Sequence, residues 1–158
     1  MDKERRGKIW RGSVEFRAKL TQGVGALIYC KNTGRYLFLL RSNSSYANTW
    51  GLPGGKLDTN EAMDVALLRE IREELDGYIK DPELVLIERY VSSNKKFIYH
   101  TYFMSVDSEF IPGLNEEHVG YAWLPLNCAP KPLHPGISRT LNCETSIKKI
   151  VYCQNNCL

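Results

Sequence analysis

Gly55 to Gly77 reads G-K-L-D-T-N-E-A-M-D-V-A-L-L-R-E-I-R-E-E-L-D-G, the most informative segment of the chain. Val65, Leu68, Ile71 and Leu75 recur at helical spacing, which predicts a helix over 60–75 with one apolar stripe. Asp58, Thr59 or Asn60 would cap its start. Asp76-Gly77 ends it, with Gly77 able to take a left-handed conformation, and Pro82 blocks any continuation. Glu70, Glu73 and Glu74 fall at i, i+3 and i+4, one turn apart on one face. That face lies roughly opposite the stripe, so the helix can pack on a sheet and turn its carboxylates toward a cleft. Like charges so spaced cost roughly 0.2–0.5 kcal/mol per pair on an open helix, a cost that a divalent cation relieves. Oxygen ligands suit Mg²⁺ or Mn²⁺, which polarise phosphoryl oxygens and make water acidic enough to attack. Taken alone, the cluster reads better as an ordinary solvated face paired with Arg69, Arg72 or Lys80.

Outward from the helix, the chain alternates strands and turns. Gly23 to Cys30 is a short apolar run expected to be a buried strand. Lys31 to Gly34 is a turn, and Arg35 to Arg41 its hairpin partner. Ser42 to Asn48 is a polar loop. Trp50 to Gly55 is too rich in Gly and Pro for regular structure. Leu84 to Tyr90 and Lys96 to Val106 are two further strands joined by the turn at 92–95. Pro112 to His118 is a loop and Val119 to Leu124 a last strand. The proline-rich 125–136 is an extended connection. Arg139 to Gln154 reads as one helix with Cys143, Ile147, Ile150 and Val151 partly on one face. Nearer the start, Val14, Phe16 and Ala18 alternate with charges as in a half-buried strand, and residues 1–12 read as a partly flexible basic arm. Strands on both sides of a central helix imply α/β architecture, a mixed sheet packed between helices.

The 158 residues suit one domain spanning 1–158, with 43% hydrophobic and 25% charged residues, as in ordinary globular chains. The net charge of +3 is too weak to argue for a polyanion-binding surface. Lys3, Arg5, Arg6, Lys8, Arg11, Arg17 and Lys19 crowd the start, but Glu4 and Glu15 dilute the run, so it reads as a solvated arm or a charge-guarded edge and nucleic acid is not the expected partner. The five cysteines form no C-x-x-C pair, which fits reduced thiols. No segment reaches transmembrane length, and the charged start is not a secretory signal. Those readings place the protein in the cytoplasm, away from the membrane.

The quoted stretch resembles the Nudix box, G-x5-E-x7-R-E-U-x-E-E-x-G-U with U aliphatic. Gly55, Glu61, Arg69-Glu70-Ile71 and Glu73-Glu74 match every fixed position through Glu74, and Trp50-Gly51-Leu52-Pro53-Gly54 resembles the usual lead-in. The family's next glycine falls at position 76, where this chain has Asp76, so the glycine role is expected to pass to Gly77. The resemblance implies an α/β/α sandwich with the box as a loop–helix–loop. It implies Glu70 and Glu74 as main Mg²⁺ (or Mn²⁺) ligands, Glu73 close by and the Gly54 carbonyl as a further ligand. Arg69 would orient a box carboxylate, and Glu61 would hold the loop or assist the metal shell. The attacking water needs a base, which many family members take from a loop outside the box. Leu114-Asn115-Glu116-Glu117-His118 is the candidate loop, with Glu117 first and Glu116 and His118 behind it.

Arg41 and Lys56 flank the expected cleft and can meet substrate phosphates, as can His118. Tyr46, Trp50, Phe103 and Tyr121 are candidates to stack on a base, although aromatics at strand positions more often belong to the core. His134 is expected to be structural. The resemblance implies metal-dependent hydrolysis of a pyrophosphate bond in a nucleoside diphosphate linked to another group. A nucleotide sugar such as ADP-ribose comes first, then a nucleoside triphosphate of ordinary or 8-oxo-dGTP type. The competing class is a nucleotide-binding module that does not cut, which the intact carboxylates argue against. Family members are often dimers, so a homodimer is compatible with the chain, which carries no mark of its own interface.

Overall fold

The computed structural model describes residues 19–42, 45–77 and 79–157. In order come β1 (Thr21–Cys30), β2 (Arg35–Arg41), β3 (Trp50–Gly51), β4 (Gly54–Lys56), α1 (Met63–Leu75), β5 (Val85–Val91), β6 (Phe97–Val106) and β7 (His118–Leu124). A 3-10 turn (Leu126–Cys128), α2 (Pro135–Leu141) and α3 (Glu144–Asn155) follow. The strands form one mixed sheet in the order β3-β2-β1-β6-β5, with β4 also on β1 and β7 also on β2. β1 and β6 run parallel, while β1 with β2 and β5 with β6 are antiparallel.

The apolar run of β1 is explained by burial on both faces. Val24, Ala26, Ile28 and Cys30 pack with Ala66, Leu67, Ile71 and Leu75 of α1. On the other side Leu27 joins Phe38, Ile87 and Phe103 against Ile137, Ile150 and Cys153 of the C-terminal helices. The layers are therefore helix, sheet, helices, as expected.

The details of α1 differ from the sequence expectation. It starts at Met63 rather than Asn60, because Asn60 sits in the left-handed region at φ 61°. Its N-cap is Ala62, with no side-chain cap; none of Asp58, Thr59 or Asn60 serves. The buried face comprises Ala66, Leu67, Ile71, Glu74 and Leu75, whereas Val65 is 56% exposed and Leu68 only half-buried. The stripe is rotated relative to the expected one, and the rotation draws Glu74 inside. At the C-terminus the left-handed residue is Asp76 itself, at φ 45° and ψ 38°. The glycine role thus stays at position 76, carried by an aspartate, one of the few non-glycine types that tolerate this conformation.

Elsewhere, the Trp50–Gly55 stretch contains two short strands, β3 and part of β4, because its backbone groups pair with β2 and β1. The expected single C-terminal helix is two, broken at Asn142 and Cys143. The face of α3 that is buried carries Ser146, Ile150 and Cys153, while Val151 is exposed. The extended 125–136 connection holds the 3-10 turn. The strand expected from Val14 and the basic arm lie outside the described residues, apart from Lys19, whose Nζ donates to Thr59 Oγ1 at 3.3 Å. All five cysteines are free. Among the described residues no helix is long and apolar enough to cross a membrane.

Candidate active site

Two glycines seat the loop before α1 against the sheet. Gly54 lies opposite Gly25 of β1 at φ 148°, and a Cβ there would overlap the Val24 carbonyl oxygen and fall 2.6 Å from Gly25 Cα. Only glycine allows that approach. It lets the Gly54 N–H donate to Glu74 Oε2 at 2.7 Å. A Cβ on Gly55 would fall on the Glu70 carboxylate. The loop backbone is therefore packed directly onto two carboxylates of α1.

Arg69 fastens the rest of the loop. Its Nε and Nη2 donate to the two carboxylate oxygens of Glu61 at 2.8 and 2.9 Å, the paired geometry for which a guanidinium is shaped. Nη2 also donates to the Lys56 carbonyl at 3.0 Å, and Nη1 to Glu70 Oε1 at 3.0 Å and Glu73 Oε2 at 3.3 Å. Glu61 in turn accepts from the Asp58 N–H at 2.9 Å. The Arg69 bond and that backbone donor hold the Glu61 carboxyl down at about 2.

Glu74 is the most perturbed carboxylate of the group. It is 2% exposed. Burial pushes its pKa up to about 8 against the Gly54 hydrogen bond, and the charges of Glu70 and Glu117 push the same way. Glu70 is also raised, by burial first, with Arg69 opposing and Glu73 and Glu117 adding. Glu70, Glu74 and Glu117 are thus close enough for their charges to act on one another. His118, from the start of β7, is buried too, and its Nε2 is 3.8 Å from Glu74 Oε1. Burial and the nearby Arg41 charge lower its pKa to about 4. At neutral pH, with no metal bound, imidazole and carboxyl are both uncharged, so this contact is no ion pair, and 3.8 Å is too long for a hydrogen bond.

Arg41 ends β2 directly across from His118. Among the described residues its buried Nε has no hydrogen-bond partner, nor has Nδ1 of His118. Buried donors without partners are rare, and a cation beside a carboxylate cluster with an unused N–H is suited to a phosphate oxygen. Glu117 is exposed, while Glu116 is engaged through its carbonyl, which accepts from Ser42 Oγ at 2.6 Å. Lys56 is exposed on β4. Glu73, with its side chain 55% exposed, accepts from Arg69 Nη1, the same nitrogen that reaches Glu70. Of the aromatics considered, Phe103 is core at 4% exposure and Trp50 packs on the second core, while Tyr46 and Tyr121 remain exposed. His134 caps α2, Nδ1 accepting from the Gly136 N–H at 3.0 Å.

One neighbour of the site escaped the sequence reading. Tyr99 of β6 lies beside Gly23 of β1 and covers both Gly23 and Gly25, where a Cβ would collide with its ring and hydroxyl. Burial, then the charge of Glu74, raises its phenol well above the usual range. The Gly23-Val24-Gly25 spacing, two glycines on one face of a strand, was the available signal.

Among the described residues no three His, Cys, Asp or Glu side chains already form a set that could hold a metal ion. The donor chemistry nevertheless fits a hard divalent cation. Glu70 and Glu74 offer oxygens only, repel one another, and leave a buried carboxylate whose charge the Gly54 N–H and the Arg41 cation offset only in part.

A family model described as NUDIX domain matches residues 19–142. A curated relative, Nucleoside triphosphatase NudI of Escherichia coli O139:H28 (strain E24377A / ETEC), is 30% identical over 115 residues, covering 66% of this chain and 77% of its own. The crystal structure of the MutT NUDIX hydrolase from Burkholderia pseudomallei is 29% identical, with TM-score 0.65, covering 78% of this chain and 97% of that one. The NUDIX domain of Shewanella oneidensis NrtR, crystallised with ADP ribose, shares the fold at 20% identity and TM-score 0.65, covering 85% of this chain and 90% of that one.

Proposed function

The chain belongs to the Nudix family of hydrolases, and on that premise we propose that it is a metal-dependent pyrophosphohydrolase whose substrate is a nucleoside triphosphate. The observation that carries the chemistry is Glu74: a buried carboxylate held by one backbone N–H and pressed by two other carboxylates. Such a group is costly unless a cation joins it. Glu70, Glu74 and the Gly54 carbonyl would hold Mg²⁺ or Mn²⁺, with Glu73 close by. The bound ion supplies charge neutralisation at the phosphoryl oxygens and acidity to water.

The chain's own residues do the rest. Arg69 fixes the rotamer of Glu70 and ties Glu61 and the loop to α1. Arg41 binds a phosphate oxygen through its free Nε. Glu117, exposed to solvent and close enough for its charge to act on Glu70 and Glu74, takes the proton of the attacking water; His118 stands behind it because its ring is buried against Glu74. His118 lines the floor. Lys56 meets the outer phosphates.

The triphosphate is placed ahead of the nucleotide sugar because the 30%-identical relative carries the name of a nucleoside triphosphatase. The test follows release of phosphate and pyrophosphate from ordinary and 8-oxo nucleoside triphosphates, and formation of AMP and ribose 5-phosphate from ADP-ribose, with Mg²⁺, Mn²⁺ or chelator, beside Glu74→Gln. Triphosphate turnover that needs metal and is lost in the variant is expected. Faster turnover of ADP-ribose would overturn the substrate assignment, and turnover indifferent to chelator would overturn the mechanism.

A further inference from the structure

Tyr46 is an exposed aromatic in an unusual position. Its side chain is 54% exposed while its backbone is left-handed at φ 65°, a conformation a bulky residue adopts only where its surroundings over-determine it. Those surroundings close the loop onto Arg41. The Asn48 N–H donates to the Arg41 carbonyl at 3.0 Å, the Arg41 N–H to the Thr49 carbonyl at 3.0 Å, and Thr49 Oγ1 to the Tyr46 carbonyl at 2.6 Å. The Tyr46 ring meets the His134 ring edge-on, with centroids 4.7 Å apart and planes at 74°. His134 is itself fixed, its N–H donating to the Trp50 carbonyl at 2.7 Å and its Nδ1 capping α2.

Gly51 joins this corner to Arg41. A Cβ built on it would lie 3.8 Å from His134 Cβ and 3.9 Å from Arg41 Cδ. Arg41 then faces His118 across β2 and β7, and His118 reaches to 3.8 Å from Glu74. A continuous row runs from the buried carboxylates, past a cation with an unused N–H, to a braced aromatic ring open to solvent.

We propose that this corner is the nucleobase subsite: with a phosphate oxygen on Arg41, the base stacks on the open face of Tyr46, and His134 braces the ring from behind. The inference rests on the nucleotide-hydrolase reading and adds to it how the non-phosphate end is recognised. Stacking on an aromatic face discriminates little among bases, since every base has a π-face, so broad base tolerance follows.

The test measures equilibrium binding of α,β-methylene-ATP and of inorganic tripolyphosphate to the full chain with Mg²⁺, and KM and kcat for ATP. Wild type is compared with Tyr46→Ala and Tyr46→Phe. Tyr46→Ala is expected to weaken analogue binding and raise KM roughly tenfold, the scale of one lost base stack. It should leave kcat and tripolyphosphate binding unchanged, with Tyr46→Phe restoring wild-type values. Unchanged analogue binding in Tyr46→Ala, or equal weakening for both ligands, would overturn the proposal. If wild type turns over no nucleotide yet binds the analogue through Tyr46, the hydrolase reading fails and the subsite stands. If it turns over ATP with no dependence on Tyr46, the subsite fails alone.

Discussion

At the scale of single residues, the site is organised by where charge is buried. Glu74 has a folded pKa of about 8 against an ordinary 4.5. In metal-free protein it is protonated when folded and ionised when unfolded between those values. Its contribution therefore costs stability progressively as pH rises from about 4.5 to 8 and is constant above that. Each unit is worth about 1.4 kcal/mol, so in chelator Glu74→Gln should match wild type near pH 4.5 and exceed it by a few kcal/mol, in order of magnitude, above pH 8. Urea unfolding at both pH values checks this, and equal stabilities at high pH would count against the buried-carboxylate picture. Arg69 acts through geometry instead. A lysine keeps the charge but cannot span both Glu61 oxygens while reaching Glu70. Arg69→Lys should lower kcat by roughly 10–100-fold, the scale seen when the support of a metal ligand is lost, with far-ultraviolet circular dichroism unchanged.

At the scale of the element, α1 shows why a helical period alone leaves the buried face uncertain by about one position. Leu67 and Leu68 are both leucine, and either choice completes a stripe with Ile71 and Leu75. The sheet decides: Leu67 is fully buried, while Val65 is solvated. Ile71→Ala should cost roughly 2–5 kcal/mol, and Val65→Ala should change stability by less than about 0.5 kcal/mol. Thermal or urea denaturation of the two variants distinguishes the observed face from the expected one, since the expected stripe requires both to be costly. The end of the helix was similarly half-legible. Position 76 demanded a left-handed residue, but Asp76 and Gly77 were both available, and Asp76 takes it.

At the scale of the whole molecule, one sheet separates two cores, and the catalytic candidates lie where β4 folds onto β1 and β7 onto β2. Ile71 sits in the core under α1 and Ile150 in the core under α3. Substitutions in separate clusters with no shared partner add, so the double variant Ile71→Ala/Ile150→Ala should lose the sum of the single losses to within about 0.5 kcal/mol. A larger coupling in urea unfolding would mean that the two faces communicate through the sheet. The same architecture brings together Arg41, Gly54, Glu74, Tyr99 and His118, which come from five different elements.

The α/β class, most strands, the box helix and the set of carboxylates were legible in the chain, because those depend on local period and fixed spacing. So was the grouping of Arg69, Glu61, Glu70 and Glu74, since Gly55 to Gly77 is contiguous. Tertiary structure alone decided the rotation of α1 that buries Glu74, the break between α2 and α3, and the strand pairing within Trp50–Lys56. It alone placed Tyr99 over the two glycines of β1 and Arg41 opposite His118. Those outcomes depend on contacts between segments tens of residues apart, and the free energy of burying a side chain belongs to the assembled surface rather than to the residue.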